Sequence, residues 1–428
     1  MNIQDIHNLF LQCKSVSIDT RKIEKDSMFF AIKGENFDAN TFAAQALELG
    51  ALFVVIDNAS YFIDERTILV DNSLETLQEL AKFHRTYLKL PIIALTGSNG
   101  KTTTKELINV VISKKYKTKA TIGNLNNHIG VPLTLLSFTK DTQIGIVEMG
   151  ANHKKEIEFL CEIAQPDYGY ITNFGKAHLE GFGGVEGVIE GKSEMYQYLA
   201  KNDKLVFVNL EDPIQIKRSA GIKPFTFGIN NDSADVNIKS IKANPFVVIE
   251  YNNFAVESHL IGLYNANNIN AAVAMGYYFK VEEKDIKDAI ENYIPENNRS
   301  QLLRIDSNQI ILDAYNANPS SMAVAITNFL QLESQNKIMI LGDMFELGDE
   351  SRQEHKLIVD SLSHQDKSVC YLIGKSFYEN KVVKDNIQFF ETFDAFAAYL
   401  KTIHFNDSTI LIKGSRGMAL ERTLEYIG

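Results

Sequence analysis

Leu95, Thr96, Gly97, Ser98, Asn99, Gly100, Lys101, Thr102, Thr103 and Thr104 form one uninterrupted run whose residue types suit polyphosphate. Gly97 and Gly100 permit a tight backbone path, so that successive N–H groups, including those of Ser98 and Asn99, and the start of a following helix face an anion. Lys101 supplies a cation to the β- and γ-phosphates, and Thr102 or Thr103 offers a hydroxyl to Mg²⁺. The longer phosphate-loop pattern would place glycine at position 95, where leucine stands, so only the shorter G-x-x-G-K-T is present. The competing reading, a glycine-rich turn with an exposed lysine, is disfavoured by context. Ile92, Ile93, Ala94 and Leu95 have the composition of a buried strand, and helix-compatible sequence follows over 102–111.

Other chemistry-bearing residues also stand just past apolar runs. Glu148 closes the run Gly145, Ile146, Val147 and could reach a metal at the sheet edge that carries the phosphate loop, or could cap the next helix. His178 follows a third run in a segment rich in Gly, Asn and Glu. Lys192, with Glu190 and Glu194, reads by periodicity as part of a solvated helix face, as does Glu180. The other histidines carry no assignment. Asn124, Asn126 and Asn127 share one loop and suit sugar or phosphate oxygens, or simply turns. Asn265 and Asn268, three apart, share a helix face and could read an adenine edge, or cap the helix. Asp313, Asn316 and Asn318 follow another strand-like run. Lys413 and Arg416 end the last one, in a turn suited to a carboxylate or phosphate.

The elements that must hold these residues read as α/β. Strand-like and helical stretches alternate along the whole chain, which indicates mainly parallel, doubly wound sheets with ligands at strand C-termini. Breaks near Pro91 and around Pro295–Arg299 divide the 428 residues into 1–90, 91–298 and 299–428. The expected architecture is a small α/β domain, a central doubly wound sheet with the phosphate loop, and a Rossmann-like domain.

Composition narrows the function. Hydrophobic residues make up 45% and charged residues 23%, an ordinary globular mix. The net charge of −11 argues against nucleic acid as a partner but allows a local cationic pocket. Three scattered cysteines give neither a disulfide framework nor a zinc site, which fits a reducing cytoplasm. No signal peptide and no membrane span are expected.

In their order along the chain, these segments resemble those of the ATP-dependent Mur ligases. The resemblance runs nearly end to end. Ser17, Ile18, Asp19, Thr20 and Arg21, with the segment 29–38, resemble the uridine-nucleotide domain of that family, and the short phosphate loop is the family's own form. The segments 123–127, 148–153, 313–319, 341–348 and 413–417 resemble the branch that adds D-alanyl-D-alanine to UDP-MurNAc-tripeptide.

The resemblance implies roles for individual residues. Lys101 and Thr102 would hold ATP phosphates and Mg²⁺. Glu148 would ligate one Mg²⁺ and His178 a second. Lys192 would carry a carbamate that bridges metal, which inverts its reading as a surface lysine. Asn265 and Asn268 would contact adenine, and Arg299 and Asp313 the phosphate and ribose. Ser17, Thr20, Arg21, Asn124, Asn126, Asn127, Asn316 and Asn318 fall to the substrates, with Lys413 and Arg416 as candidates for the dipeptide carboxylate. Tyr264 stands where the family usually has histidine. The implied protein is a cytoplasmic monomer that forms an amide through an acyl phosphate, using ATP, two Mg²⁺ and the modified lysine, for cell-wall precursor synthesis. The alternatives are the branch that adds the third amino acid, a folylpolyglutamate synthase, and a non-enzymatic nucleotide switch.

Overall fold

The computed structural model describes residues 1–296 and 298–427. At its centre lies a nine-stranded sheet. From one edge its strands run Ala255–Ile261, Phe246–Tyr251, Val236–Ala243, Lys223–Ile229, Leu205–Asn209, Tyr168–Ile171, Ile92–Thr96, Ile144–Glu148 and Thr118–Ala120. The first three form an antiparallel ribbon, and the remaining pairings are parallel.

Alternation of side chains explains why this sheet is buried on both sides. Ile93, Leu95, Ile146, Tyr170 and Phe207 join one apolar cluster, which includes Leu107, Ile108 and Val111 of the helix Lys101–Ile112 and Ile269 of Asn265–Tyr278. Their neighbours Ile92, Ala94, Val147, Ile171 and Val206 join another, with Val131 and Leu135 of Gly130–Leu136, Leu160 of Glu156–Ala164, and Val188 and Met195 of Val185–Lys201. Successive residues of a strand point to opposite faces, so one short run feeds two cores. Truncating one such residue, Ile93 for example, to alanine costs about 2–5 kcal/mol.

The N-terminal sheet is parallel, in the order Val16–Ser17, Ser27–Phe30, Ala51–Ile56, Thr67–Leu69. It is joined to the centre by the helix Ser73–Leu88, which Asn72 caps by accepting from the N–H groups of Leu74 and Glu75. That helix stops where Lys89 turns left-handed (φ 55°), ahead of Pro91. Leu77, Leu80 and Ala81 face the central domain, and Arg85 donates to the carbonyl of Ala164 and to Asp167 at 2.8 Å.

The C-terminal sheet has six strands, in the order Gln301–Ile305, Asn308–Asp313, Ser408–Lys413, Asn336–Gly342, Val369–Ile373, Ile387–Phe390. Only the first is antiparallel to its neighbour. Asp313 pairs in register with Lys413, and Lys413 with Leu341, so three adjacent strands end along one rim.

The expected α/β class and three-part architecture are those observed. The antiparallel ribbon of residues 236–261 was not anticipated. Its strands alternate buried and exposed positions and carry lysine, serine, asparagine and glutamate among the apolar residues, so no run stands out as a buried strand.

Candidate active site

A cavity of about 760 Å³ lies between the central and C-terminal domains. The phosphate loop forms its floor. The loop leaves the strand Ile92–Thr96 and enters the helix Lys101–Ile112 at Gly100, and no side chain caps that helix start. Its first N–H groups are therefore open to an anion. Both loop glycines are required. A Cβ on Gly97 (φ 142°) would lie 2.0 Å from Thr172 Oγ1, and one on Gly100 (φ 78°) would lie 2.6 Å from Asn268 Oδ1. The loop is pinned from the neighbouring strand end. Thr172 Oγ1 donates to the Asn99 carbonyl at 2.6 Å and Ser98 Oγ to the Gly175 carbonyl at 2.7 Å, while Asn173 accepts from the N–H groups of Ser98 and Asn99, which the sequence predicts to face the anion instead. Lys101 Nζ folds back onto the Gly97 carbonyl at 2.7 Å. Burial lowers its pKa and Arg299 lowers it further, while Glu148 opposes.

Beside the loop stands Glu148, 1% exposed. Its Oε1 accepts from Asn126 Nδ2 at 2.8 Å, while its buried Oε2 has no partner among the described residues. A buried carboxylate oxygen left open, in the cavity that Thr102 and the uncapped helix start also line, fits Mg²⁺, which binds through one or two protein oxygens and completes its shell with phosphate and water. Among the described residues no group of three His, Cys, Asp or Glu gathers into an all-protein cage. Glu148 does not cap the following helix. That work falls to Glu194, whose carboxylate accepts from the N–H groups of Lys155 and Glu158, and to Glu156, which accepts from those of Asn152 and His153.

Lys192 and Glu194 correct the expectation of a solvated helix face. Lys192 is 0% exposed and Glu194 6%. The Lys192 amine donates to the Ala151 carbonyl at 3.1 Å and lies 5.0 Å from the Phe182 ring centre. Burial holds its pKa well below the ordinary lysine value. Repulsion from Lys101 adds to this, and Glu156 and Glu194 act against it. Periodicity missed this because Gly187 and Gly191 let the helix approach Phe182 closely, burying a face that carries charged residues.

The opposite wall comes from the C-terminal domain. Lys413 Nζ is buried and pairs with Asp313 Oδ2 at 2.6 Å, and Asp313 Oδ1 accepts from the Ser300 N–H. Arg299 sits over Tyr315, its Cζ 3.7 Å from the ring centre, and Arg416 approaches the same ring at 4.9 Å. The two walls touch at several points. Asn318 Nδ2 donates to Asn99 Oδ1, Lys176 pairs with buried Glu354 at 2.5 Å, and His178 Nδ1 faces the Glu346 carboxylate, holding that carboxyl below its usual range.

The cavity thus brings together Ser98, Asn99, Gly100, Lys101, Thr102, Thr103, Asn124, Asn126, Asn127, Glu148, His178, Asn265, Asn268, Arg299, Asp313, Asn316, Asn318 and Lys413. Gly97 lies beneath the loop and Lys192 behind the Ala151 carbonyl. Asn127 Oδ1 caps the helix Gly130–Leu136, and Asn265 and Asn268 bond each other at 2.8 Å. Arg416 is not part of the wall. Nor are Ser17, Thr20 and Arg21, which lie in the N-terminal domain. There Ser17 Oγ bonds the Asp19 carbonyl, and Arg21 chelates Asp19, holding that carboxyl at about 2. Sequence reasoning missed His128, Glu156, Asn173 and Tyr315 among the lining residues. His128 follows the Asn-rich loop and Asn173 a strand end, so position relative to strands was the available signal.

Three sequence profiles tile the chain: "Mur ligase family, catalytic domain" over residues 12–85, "Mur ligase middle domain" over 95–276, and "Mur ligase, glutamate ligase domain" over 298–416. The chain belongs to the Mur ligase family. It is 35% identical to the UDP-N-acetylmuramoyl-tripeptide–D-alanyl-D-alanine ligase of Bacillus subtilis (strain 168), across 96% of this chain and 92% of that one. It is 30% identical to the Escherichia coli (strain K12) protein of the same name, across 96% and 93%. Its fold matches MurF from Acinetobacter baumannii with a TM-score of 0.85 at 29% identity, covering 99% of this chain and 98% of that one. It matches MurF ligase from Thermotoga maritima in complex with ADP at 0.84 and 26%, covering 97% of each.

Proposed function

We propose that the protein is an ATP-dependent, ADP-forming ligase that joins D-alanyl-D-alanine to UDP-MurNAc-tripeptide in peptidoglycan precursor synthesis. The observation that carries this reading is the cavity itself: an uncapped helix start with Lys101, an open carboxylate oxygen on Glu148, and a facing wall from a second domain bearing Arg299 and Lys413. The full-length similarity to D-alanyl-D-alanine ligases supports the substrates.

A carboxylate is a poor electrophile, so the terminal phosphoryl group of ATP is transferred to it first. An O–P bond forms at the peptide carboxylate as the β,γ-bridging bond breaks. The dipeptide amine then attacks the acyl carbon and gives up a proton to solvent, and the C–O bond breaks so that phosphate leaves with the carboxylate oxygen that had bonded to phosphorus. Lys101 and the open N–H groups hold the phosphates, and Arg299 faces them from the other domain. Glu148 and Thr102 would hold Mg²⁺, which supplies charge neutralisation at the phosphates when bound. A second ion would rest on His178 and on a carbamate at Lys192, whose buried amine is pushed toward the neutral form that takes up CO₂. The Asn99–Asn318 and Lys176–Glu354 contacts seat the C-terminal domain, excluding water that would hydrolyse the acyl phosphate.

In this reading 1–90 bind the uridine nucleotide through Ser17, Thr20 and Arg21, 91–298 bind ATP, and 299–428 bring the dipeptide. The three cysteines are free thiols, as a reducing cytoplasm keeps them, and the working unit is a monomer. Among the described residues no helix is long and apolar enough to cross a membrane. The test is ADP release by purified protein with UDP-MurNAc-tripeptide and D-alanyl-D-alanine, set against each single amino acid. Turnover with a free amino acid but not the dipeptide would overturn the assignment, and nucleotide hydrolysis without either acceptor would favour a switch.

A further inference from the structure

Tyr264 stands at the start of the helix Asn265–Tyr278, and its half-buried phenol reaches outside that helix. It shares a hydrogen bond of 2.6 Å with Ser300 Oγ, in the short connection between the central and C-terminal domains. Ser300 in turn donates its N–H to Asp313 Oδ1 at 3.1 Å, at the rim of the C-terminal sheet. One residue earlier, the Leu263 N–H donates to Asn328 Oδ1 at 3.0 Å, on the helix Pro319–Gln331 of the same domain. The turn before the helix is thus fastened to the C-terminal domain at two points.

Its other side faces the phosphate loop. Asn268 Oδ1 accepts from Thr104 Oγ1 at 3.0 Å and lies against Gly100. The turn is shaped for the tyrosine, since a Cβ on Gly262 (φ 87°) would fall 2.4 Å from the Tyr264 ring. The connection it grips is held in an uncommon conformation. Asn298 (φ 57°) and Ser300 (φ 49°) both lie in the left-handed region that residues with a side chain rarely adopt. Such a backbone persists only where its surroundings over-determine it. The phenol–hydroxyl bond is one such restraint, and it comes from the element that touches the nucleotide loop.

We propose that Tyr264 is a positioning residue that ties the interdomain connection, through Ser300, to the helix beside the phosphate loop, so that the seating of the C-terminal domain and the geometry of the nucleotide site are set together. The kinetic consequence rests on the ligase reading, whereas the mechanical tie does not.

The experiment compares Tyr264→Phe, Ser300→Ala and the double variant with wild type, each checked by circular dichroism and thermal unfolding. Three quantities are measured: the ADP dissociation constant by calorimetry, kcat and KM for ATP in the ligase assay, and the radius of gyration by X-ray scattering with and without ADP. Loss of one neutral hydrogen bond that acts only in the seated state is expected to lower kcat about tenfold in each single variant. ADP affinity should stay within about twofold if the bond positions the domain and makes no nucleotide contact. The double variant should be no worse than either single, and the ADP-bound variants should scatter as more extended particles than wild type. The proposal is overturned if both single variants keep wild-type kcat and compactness. It is also overturned if Tyr264→Phe weakens ADP binding without lowering kcat, which would make the phenol oxygen a nucleotide contact, or if the two losses multiply. Should wild type itself release no ADP, the ligase reading falls and scattering alone decides the tie. Should Tyr264→Phe fail to fold, Ser300→Ala decides it.

Discussion

Asn318 donates a hydrogen bond of 2.7 Å to Asn99 Oδ1, so the residue that caps a C-terminal-domain helix also holds the phosphate loop of the central domain. The two duties separate chemically. The cap uses Asn318 Oδ1, which accepts from the Ser321 N–H at 2.9 Å, whereas the loop contact uses Nδ2. Serine is an equally good cap but too short to reach Asn99. Asn318→Ser is expected to leave the unfolding temperature within about 2 °C of wild type while lowering kcat several-fold. Thermal unfolding beside a steady-state assay checks this, and wild-type kcat would mean that the contact is dispensable.

Lys101 carries a cation where burial and Arg299 disfavour one and Glu148 favours it. Its head rests on the Gly97 carbonyl. Replacing it by methionine keeps most of the volume and removes a charge that burial disfavours. Lys101→Met is therefore expected to unfold at or above the wild-type temperature, yet to lose about 10²–10³ in kcat, the usual cost of one preorganised electrostatic group. Marked destabilisation instead would show that the lysine is structural.

How much of this was legible in the sequence differs by residue. The phosphate loop was, because glycine spacing, a buried strand and a following helix are all local. Gly97 and Gly100 also have the close neighbours, Thr172 and Asn268, that demand glycine. Glu148 and His178 were legible as residues past strand ends. Lys192 was not, since its burial depends on Phe182 packing against two helix glycines, and its importance entered through resemblance alone. Arg299, Tyr315 and Asp313 face the phosphate loop only when two domains meet, a relation no window of sequence contains. The ribbon over 236–261 was hidden because polar and partly exposed positions interrupt its apolar ones.

Glu148 offers one oxygen already satisfied by Asn126 and one with no partner among the described residues. A glutamine there keeps the shape and removes the charge. Glu148→Gln is expected to abolish the thermal stabilisation that Mg²⁺ adds to the ADP-bound protein, and to lower kcat by at least about a hundredfold. Differential scanning fluorimetry across a Mg²⁺ titration reads the first. Undiminished stabilisation would place the ion elsewhere.

His7 and His84 form a buried relay at the boundary of the N-terminal and central domains. The Phe138 carbonyl, 2.9 Å from His84 Nε2, can only accept, so His84 Nδ1 accepts in turn from His7 Nε2 at 3.0 Å. A proton on His84 Nδ1 would break that bond. Burial, and then His84, lower His7 to about 4, and burial lowers His84 as well. The unfolded chain takes up these protons near pH 6.5 and the folded one only further down, so stability falls as pH drops from about 6.5 toward 4. Urea midpoints at pH 7.5, 5.5 and 4.5 should decline in wild type and decline less in His84→Leu. Parallel profiles would show that other groups govern acid sensitivity.

Lys192 offers the sharpest test of the second metal position. Its amine is wholly buried, held well below the ordinary lysine pKa, and bonded only to the Ala151 carbonyl. A neutral amine adds to CO₂, forming a C–N bond and releasing one proton, and the resulting anion would need cations to offset Glu156 and Glu194 nearby. Carbon-13 NMR in labelled bicarbonate is therefore expected to show a carbamate resonance that strengthens with Mg²⁺ and vanishes in Lys192→Met. Because methionine fills the same apolar niche without an amine to desolvate, that variant should lose no more than about 1 kcal/mol of stability. Its kcat should nonetheless fall by at least about a hundredfold if the carbamate holds a metal that stabilises the phosphoryl-transfer transition state. In Lys192→Ala, where a gap remains, acetate or formate should restore part of the loss by supplying the missing carboxylate. A silent spectrum together with an active methionine variant would reduce Lys192 to a packing residue against Phe182.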